Sequence, residues 1–215
     1  MLNYRLPNEQ LMKREFKKLR KPIKILLFLS TKDDSTSLSV LEFMNVIVNQ
    51  DPQIDLKVFY KETHSESFEQ QQIQEIPAIV IEGTGICYTG VPSGPESGVF
   101  IQTLIMKSTE NSGVGEVISK ILASVTKPVK LRSIMTSQCT ICPLAVKIGN
   151  TIALESAING NGKITHEIVE ALEHKNYVAK YDLSAVPIII INNKVTFHGL
   201  PDVDKYVMKI AEAGR

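Results

Sequence analysis

The sequence carries one pattern twice, and no other feature of its 215 residues constrains the fold so tightly. Pro22 precedes the apolar run Ile25 to Leu29, and Pro128 precedes the weaker run Val129 to Met135. Each run reads as a strand and leads through a polar turn into a helical pattern. Leu41, Met44 and Val48 set that helical spacing in the first copy, and Leu144, Ile148 and Ile152 set it in the second. Further on, Ile76-Pro77 precedes the strand Ala78 to Ile81, as Val186-Pro187 precedes Ile188 to Ile191. Gly90-Val91-Pro92 is then answered by Gly199-Leu200-Pro201. The offsets agree: 55 residues from Pro22 to Pro77 against 59 from Pro128 to Pro187, then 13 to Gly90 against 12 to Gly199. Each copy therefore reads strand, helix, strand, helix, strand, strand, helix. A right-handed β-α-β crossover makes one parallel pairing, and a hairpin at Gly83 to Gly85 or Asn192-Asn193 makes an antiparallel one. The expectation is an α/β protein of two tandem units, residues 1–110 and 111–215, each a mixed central sheet flanked by helices.

Outside the repeat, Met12, Phe16 and Leu19 predict an amphipathic helix over about 8–20, ahead of the first unit. Seven Lys or Arg lie between Leu11 and Lys24, with Glu15 the one acid among them. With 24 basic and 23 acidic residues, a net charge of +1 supplies no general field for nucleic acid or anionic membrane, so this run reads as a solvated face. The second unit begins with a connector from about Asn111 to Lys127, where Val117, Ile118, Ile121 and Leu122 share one helical face and predict a packed helix. The opening residues lack the apolar core of a secretory signal, and no apolar run approaches the ~18 residues of a membrane span. A cytoplasmic protein is expected.

Three cysteines are too few for a secreted disulfide scaffold of this length, but Cys139 and Cys142 form a C-x-x-C pair. The pair sits where a strand gives way to a helix. Unpaired amide groups and the helix dipole favour a thiolate there, and the thiolate is the form that attacks disulfides. Cys139, nearer the loop, is the expected nucleophile. Cys142, one helical turn further in, is placed to displace a mixed disulfide by closing the intramolecular bond. A structural zinc site needs four ligands, and neither a second C-x-x-C nor a closely spaced His pair accompanies this one, which favours redox chemistry over metal binding. Cys87, inside the first copy's hairpin strand, reads as a small core residue rather than a third redox thiol.

With Cys139-Thr140-Ile141-Cys142-Pro143 at the first helix, Val186-Pro187 before a strand and Phe197-His198-Gly199 after it, the second half resembles a thioredoxin-fold or glutaredoxin-like unit. As a whole the chain resembles the protein disulfide oxidoreductases in which two such units are fused. The resemblance implies that Pro187 is cis and lies against the cysteines, and that Val186 offers its backbone to an extended substrate. Thr140, Ile141 and Pro143 are then the immediate neighbours of the redox pair, and Thr140-Ile141 brings no imidazolium to depress the nucleophile's pKa. The couple itself does the chemistry, so no cofactor or metal is expected.

The first copy departs from that pattern. Its corresponding turn reads Lys32-Asp33-Asp34-Ser35-Thr36-Ser37, and no register supplies a thiol. Asp33, Asp34 and Ser35 read as turn and helix-capping residues. The N-terminal part of the alkyl hydroperoxide reductase flavoprotein is similar in this respect, since only its second unit is redox-active. The expected function is thiol-disulfide exchange at Cys139-Cys142 on protein or small-molecule disulfides, with electrons from a separate flavoprotein resembling thioredoxin reductase. The alternatives are a shuttle from such a flavoprotein to a peroxiredoxin, or a binding module whose affinity is switched by the redox state of the pair.

Overall fold

The computed structural model describes residues 4–182 and 184–215. The first repeat comprises β1 (Ile23–Leu29), α2 (Ser35–Val48), β2 (Ile54–Tyr60), α3 (Ser65–Gln70), β3 (Ala78–Ile81), β4 (Ile86–Thr89) and α4 (Glu96–Thr109), preceded by α1 (Glu9–Phe16). After the connector helix α5 (Glu116–Ala123), the order recurs as β5 (Val129–Met135), α6 (Cys142–Asn159), β6 (Ile164–Glu170), α7 (Lys175–Val178), β7 (Ile188–Ile191), β8 (Lys194–His198) and α8 (Val203–Ala213).

Within each repeat the first two strands run parallel and the last two add antiparallel, as the alternation predicts. The repeats then join edge to edge. β4 pairs in parallel with β6, Cys87 opposite Glu167 and Tyr88 opposite Ile168, giving one eight-stranded sheet in the order β2-β1-β3-β4-β6-β5-β7-β8. Central strands such as β1 and β7 are apolar almost throughout because both faces are covered. On one face, Ile25, Leu27, Ile79, Tyr88 and Ile168 pack under α2, α4 and α6, while Leu131 and Ile189 pack with Tyr206 and Ile210 of α8. On the other face, Phe28, Phe59 and Val80 meet Phe68 of α3, while Ile134 and Ile190 meet Val178 of α7.

The ends of two elements differ from the sequence-based expectation. α1 stops at Phe16, not near residue 20, because turns at Lys18 and Leu19 redirect the chain toward β1, and a residue preceding proline, here Lys21, is disfavoured in helix. Leu19 is nevertheless buried. The connector helix is shorter than 111–127, and Val117 stays 75% exposed while Leu122 carries the packing, so Val117 is not part of the buried face. Five cations of the N-terminal basic run, Lys13, Arg14, Lys18, Lys21 and Lys24, are paired with Glu9, Glu15, Glu110 or Glu82. Among the described residues no helix is long and apolar enough to cross a membrane.

Candidate active site

Strand β5 delivers the chain to a short turn, in which the Cys139 N–H donates to the Thr136 carbonyl at 3.0 Å, and α6 begins at Cys142. Pro143 suits the first turn of α6, where a backbone N–H would have no intrahelical partner. Cys139 and Cys142 are joined as a disulfide, with Cα atoms 5.5 Å apart. Cys139 is partly exposed between the exposed Thr140 and Ile141 on one side and the turn on the other, whereas Cys142 is wholly buried. The Cys142 N–H donates to Cys139 Sγ at 3.0 Å. When the bond is reduced, that amide and the positive end of α6 are the groups positioned to stabilise a Cys139 thiolate.

Pro187 is buried, its bond to Val186 is cis, and the Val186 carbonyl oxygen lies 3.9 Å from Cys139 Sγ. The Gly199 N–H donates to the Pro187 carbonyl at 2.7 Å, which brings the turn containing Leu200 to the same end of the sheet. Ile141, Leu144 and Leu200 are each about half exposed, at 46%, 53% and 47%. The structure thus gathers Cys139, Cys142, Val186 and Pro187, with Thr140, Ile141 and Pro143 as immediate neighbours.

The corresponding corner of the first repeat keeps its geometry without sulfur. Asp34 caps α2, accepting from the Ser37 N–H at 2.8 Å and the Ser37 hydroxyl at 2.9 Å. The Ser30 hydroxyl also donates to it at 3.1 Å, and these hydrogen bonds hold its carboxyl below the usual aspartate range. Pro77 is again buried behind a cis bond.

Cys87 lies elsewhere. It belongs to the α3 and α7 face, packed at the edge of the Phe28 cluster, whereas Cys142 belongs to the opposite face. It is partly exposed rather than fully in the core, and its thiol is pushed up to about 12 by burial and by the neighbouring Glu167. Glu167 is itself held below the usual carboxylate range against its burial by Arg132 and Lys130. No three His, Cys, Asp or Glu side chains among the described residues converge as metal ligands would.

The burial of Glu96 carries no signal in the sequence. Glu96 begins α4, is 2% exposed, and neither carboxyl oxygen has a hydrogen-bond partner among the described residues. Burial pushes its pKa up to about 8. Helices α4 and α6 run in the same direction, since Asn150 Nδ2 donates to Thr103 Oγ1 at 3.0 Å and, further along, Ser112 donates to Glu155. Counting back about two turns from each member of the first pair puts Glu96 at the same level along α4 as Pro143 along α6. In the sequence Glu96 looks like any acid in a first helical turn, because its burial comes from the second repeat.

Residues 131–211 match the family model described as a thioredoxin domain. The fold is a tandem of thioredoxin-like units. A protein disulfide oxidoreductase from Aeropyrum pernix K1 superposes with a TM-score of 0.91 at 25% identity, over 98% of this chain and 96% of its own. A domain of the alkylhydroperoxide reductase AhpF from Enterococcus faecalis superposes with a TM-score of 0.83 at 22% identity, over 94% of this chain and 97% of its own. No curated protein matches the sequence.

Proposed function

We propose that this tandem thioredoxin fold is a thiol-disulfide oxidoreductase with one working site, the Cys139-Cys142 couple. The observation that carries this reading is the asymmetry of the pair: a partly exposed Cys139 that accepts the Cys142 amide at 3.0 Å, and a resolving Cys142 that is wholly buried. In the reducing direction the Cys139 thiolate attacks one sulfur of a substrate disulfide, forming a mixed disulfide and expelling the other sulfur as a thiolate, which takes a proton from water. The Cys142 thiol then gives its proton to the Glu96 carboxylate, and its sulfur attacks Cys139 Sγ. The mixed disulfide breaks, the second substrate thiolate leaves, and two electrons have passed from the couple to the substrate. A buried carboxyl without a hydrogen-bond partner, pushed up to about 8, is more basic than an ordinary carboxylate and so better able to take this proton.

Val186 supplies backbone for an extended substrate segment beside Cys139, with Pro187 beneath it. The half-exposed Ile141, Leu144 and Leu200 suit a protein substrate more than a small polar disulfide. A cytoplasmic flavoprotein of the thioredoxin-reductase kind is the proposed electron donor, with the couple itself as the redox group. The likeness to the alkylhydroperoxide reductase domain and the missing thiols of the first repeat support a second reading, in which the couple passes electrons from that flavoprotein to a peroxiredoxin.

Insulin reduction under dithiothreitol tests the first reading: turnover that disappears in Cys139→Ser is expected, and a stable, unreactive Cys139-Cys142 bond refutes it. Peroxide consumption driven through a flavoprotein reductase and a peroxiredoxin tests the second. Omission of this chain should stop it.

A further inference from the structure

Once the disulfide is reduced, Cys139 loses its covalent tie to α6, and its distance from the Cys142 amide depends on the turn that carries it. That turn is gripped by a buried side chain with no part in the exchange steps. Glu170, the last residue of β6, is 2% exposed. Its Oε1 accepts the Ser137 N–H at 2.8 Å, two residues before Cys139, and its Oε2 accepts the Glu173 N–H at 2.7 Å. The carboxylate therefore joins the redox turn to the corner that follows β6.

The first repeat closes against the same place with bare backbone. A Cβ on Gly90 would stand 2.7 Å from Glu170 Cβ, and one on Gly94 would stand 3.3 Å from the Ser137 carbonyl oxygen. Both glycines also have positive φ, +102° and +61°, which side chains resist. Tight approach at both ends of one hydrogen bond leaves Glu170 little room to let go of Ser137.

We infer that Glu170 is a positioning residue for the redox turn: its grip on the Ser137 N–H, backed by the Gly90 to Gly94 loop of the first repeat, keeps reduced Cys139 within reach of the Cys142 amide. The inference rests on the proposed exchange chemistry and gives the thiol-free repeat a part in it. A hydrogen bond to a charged sulfur is stronger than one to a neutral thiol, so a turn that holds the bond favours the thiolate. Glu173 and Tyr4 face the same groove. Glu173 is pushed up to about 7 by burial and by the charge of Glu170, and burial raises the Tyr4 phenol.

The experiment measures alkylation rate against pH for Cys139 alone, in reduced protein carrying Cys87→Ser and Cys142→Ser, with and without Glu170→Gln or Glu170→Ala. Loss of a charge-assisted hydrogen bond should raise the midpoint in Glu170→Ala by about one pH unit. Glu170→Gln, whose amide oxygen can still accept one N–H, should give a smaller rise. If Glu170→Ala does not fold, the Glu170→Gln midpoint decides. An unchanged midpoint accompanied only by a lower melting temperature overturns the inference, as does a downward shift, the sign expected from deleting a nearby negative charge. Alkylation needs no substrate turnover, so failure to reduce insulin would sink the proposed function while leaving this comparison readable.

Discussion

Replacing Glu96 by Gln keeps its shape and removes its ability to ionise. In the unfolded chain this carboxyl has its ordinary value of 4.5, and in the fold burial moves it to about 8. Between those values the folded protein holds a proton that the unfolded chain has released, so stability falls as pH rises through this window and the full cost is felt above about 8. At about 1.4 kcal/mol per pH unit, the ionised carboxylate costs on the order of 5 kcal/mol. Glu173, raised to about 7, pulls the same way up to that pH. Urea unfolding of the oxidised protein at pH 6 and pH 9 measures the difference. Wild type should lose several kcal/mol between the two, and Glu96→Gln should lose less by at least ~2 kcal/mol. Reduction assays on the same variant should show slower release of the mixed disulfide and loss of the rise in turnover toward pH 8. Parallel stability curves for the two proteins would refute the claim that Glu96 is buried without a partner, and with it the assignment of Glu96 as proton acceptor.

Because Cys87 and Cys142 lie on opposite faces of the sheet, Cys87→Ser should leave disulfide-reductase turnover nearly unchanged while Cys139→Ser abolishes it; comparable losses would mean that Cys87 takes part. Cys142→Ser should accumulate substrate proteins as mixed disulfides on non-reducing gels, released by reductant, and accumulation only on Cys139→Ser would reverse the two roles. Gly149→Ala would drive a Cβ to within 2.4 Å of the His166 ring, which is pinned by Asn150 at 2.7 Å and Ser133 at 2.8 Å. Overpacking together with lost hydrogen bonds should cost ~2–4 kcal/mol in urea unfolding at pH 7, and an unshifted midpoint would contradict the packing described.

The two repeats, and the corner where Cys139-Cys142 meets Pro187, are legible in the sequence because they rest on local signals: apolar runs, X-Pro steps, glycine turns and a C-x-x-C. What escaped depends on contacts between the repeats. Nothing in Ile86-Cys87-Tyr88-Thr89 announces that β4 will pair with β6, since any hydrophobic edge strand has the same composition. Glu96 and Glu170 read as ordinary surface acids, and each is buried by elements far away in the chain. Val117 misled in the other direction, because helical periodicity identifies a candidate face without saying how much of it a neighbour will cover.

The parallel seam between β4 and β6 has a consequence for how such a chain can change over time. A repeat without a thiol pair carries out no disulfide exchange of its own, yet it cannot be discarded freely. Removing it would leave the backbone amides and carbonyls of β6 without strand partners on that side, next to a strip of newly wetted Ile86 and Tyr88 contacts, and a bare edge of that kind recruits other chains. The first repeat is therefore held by its border rather than by its pocket. Substitutions can accumulate around Asp34 and Pro77, while Ile86 to Thr89 and the glycines behind them stay constrained by the working half they shield.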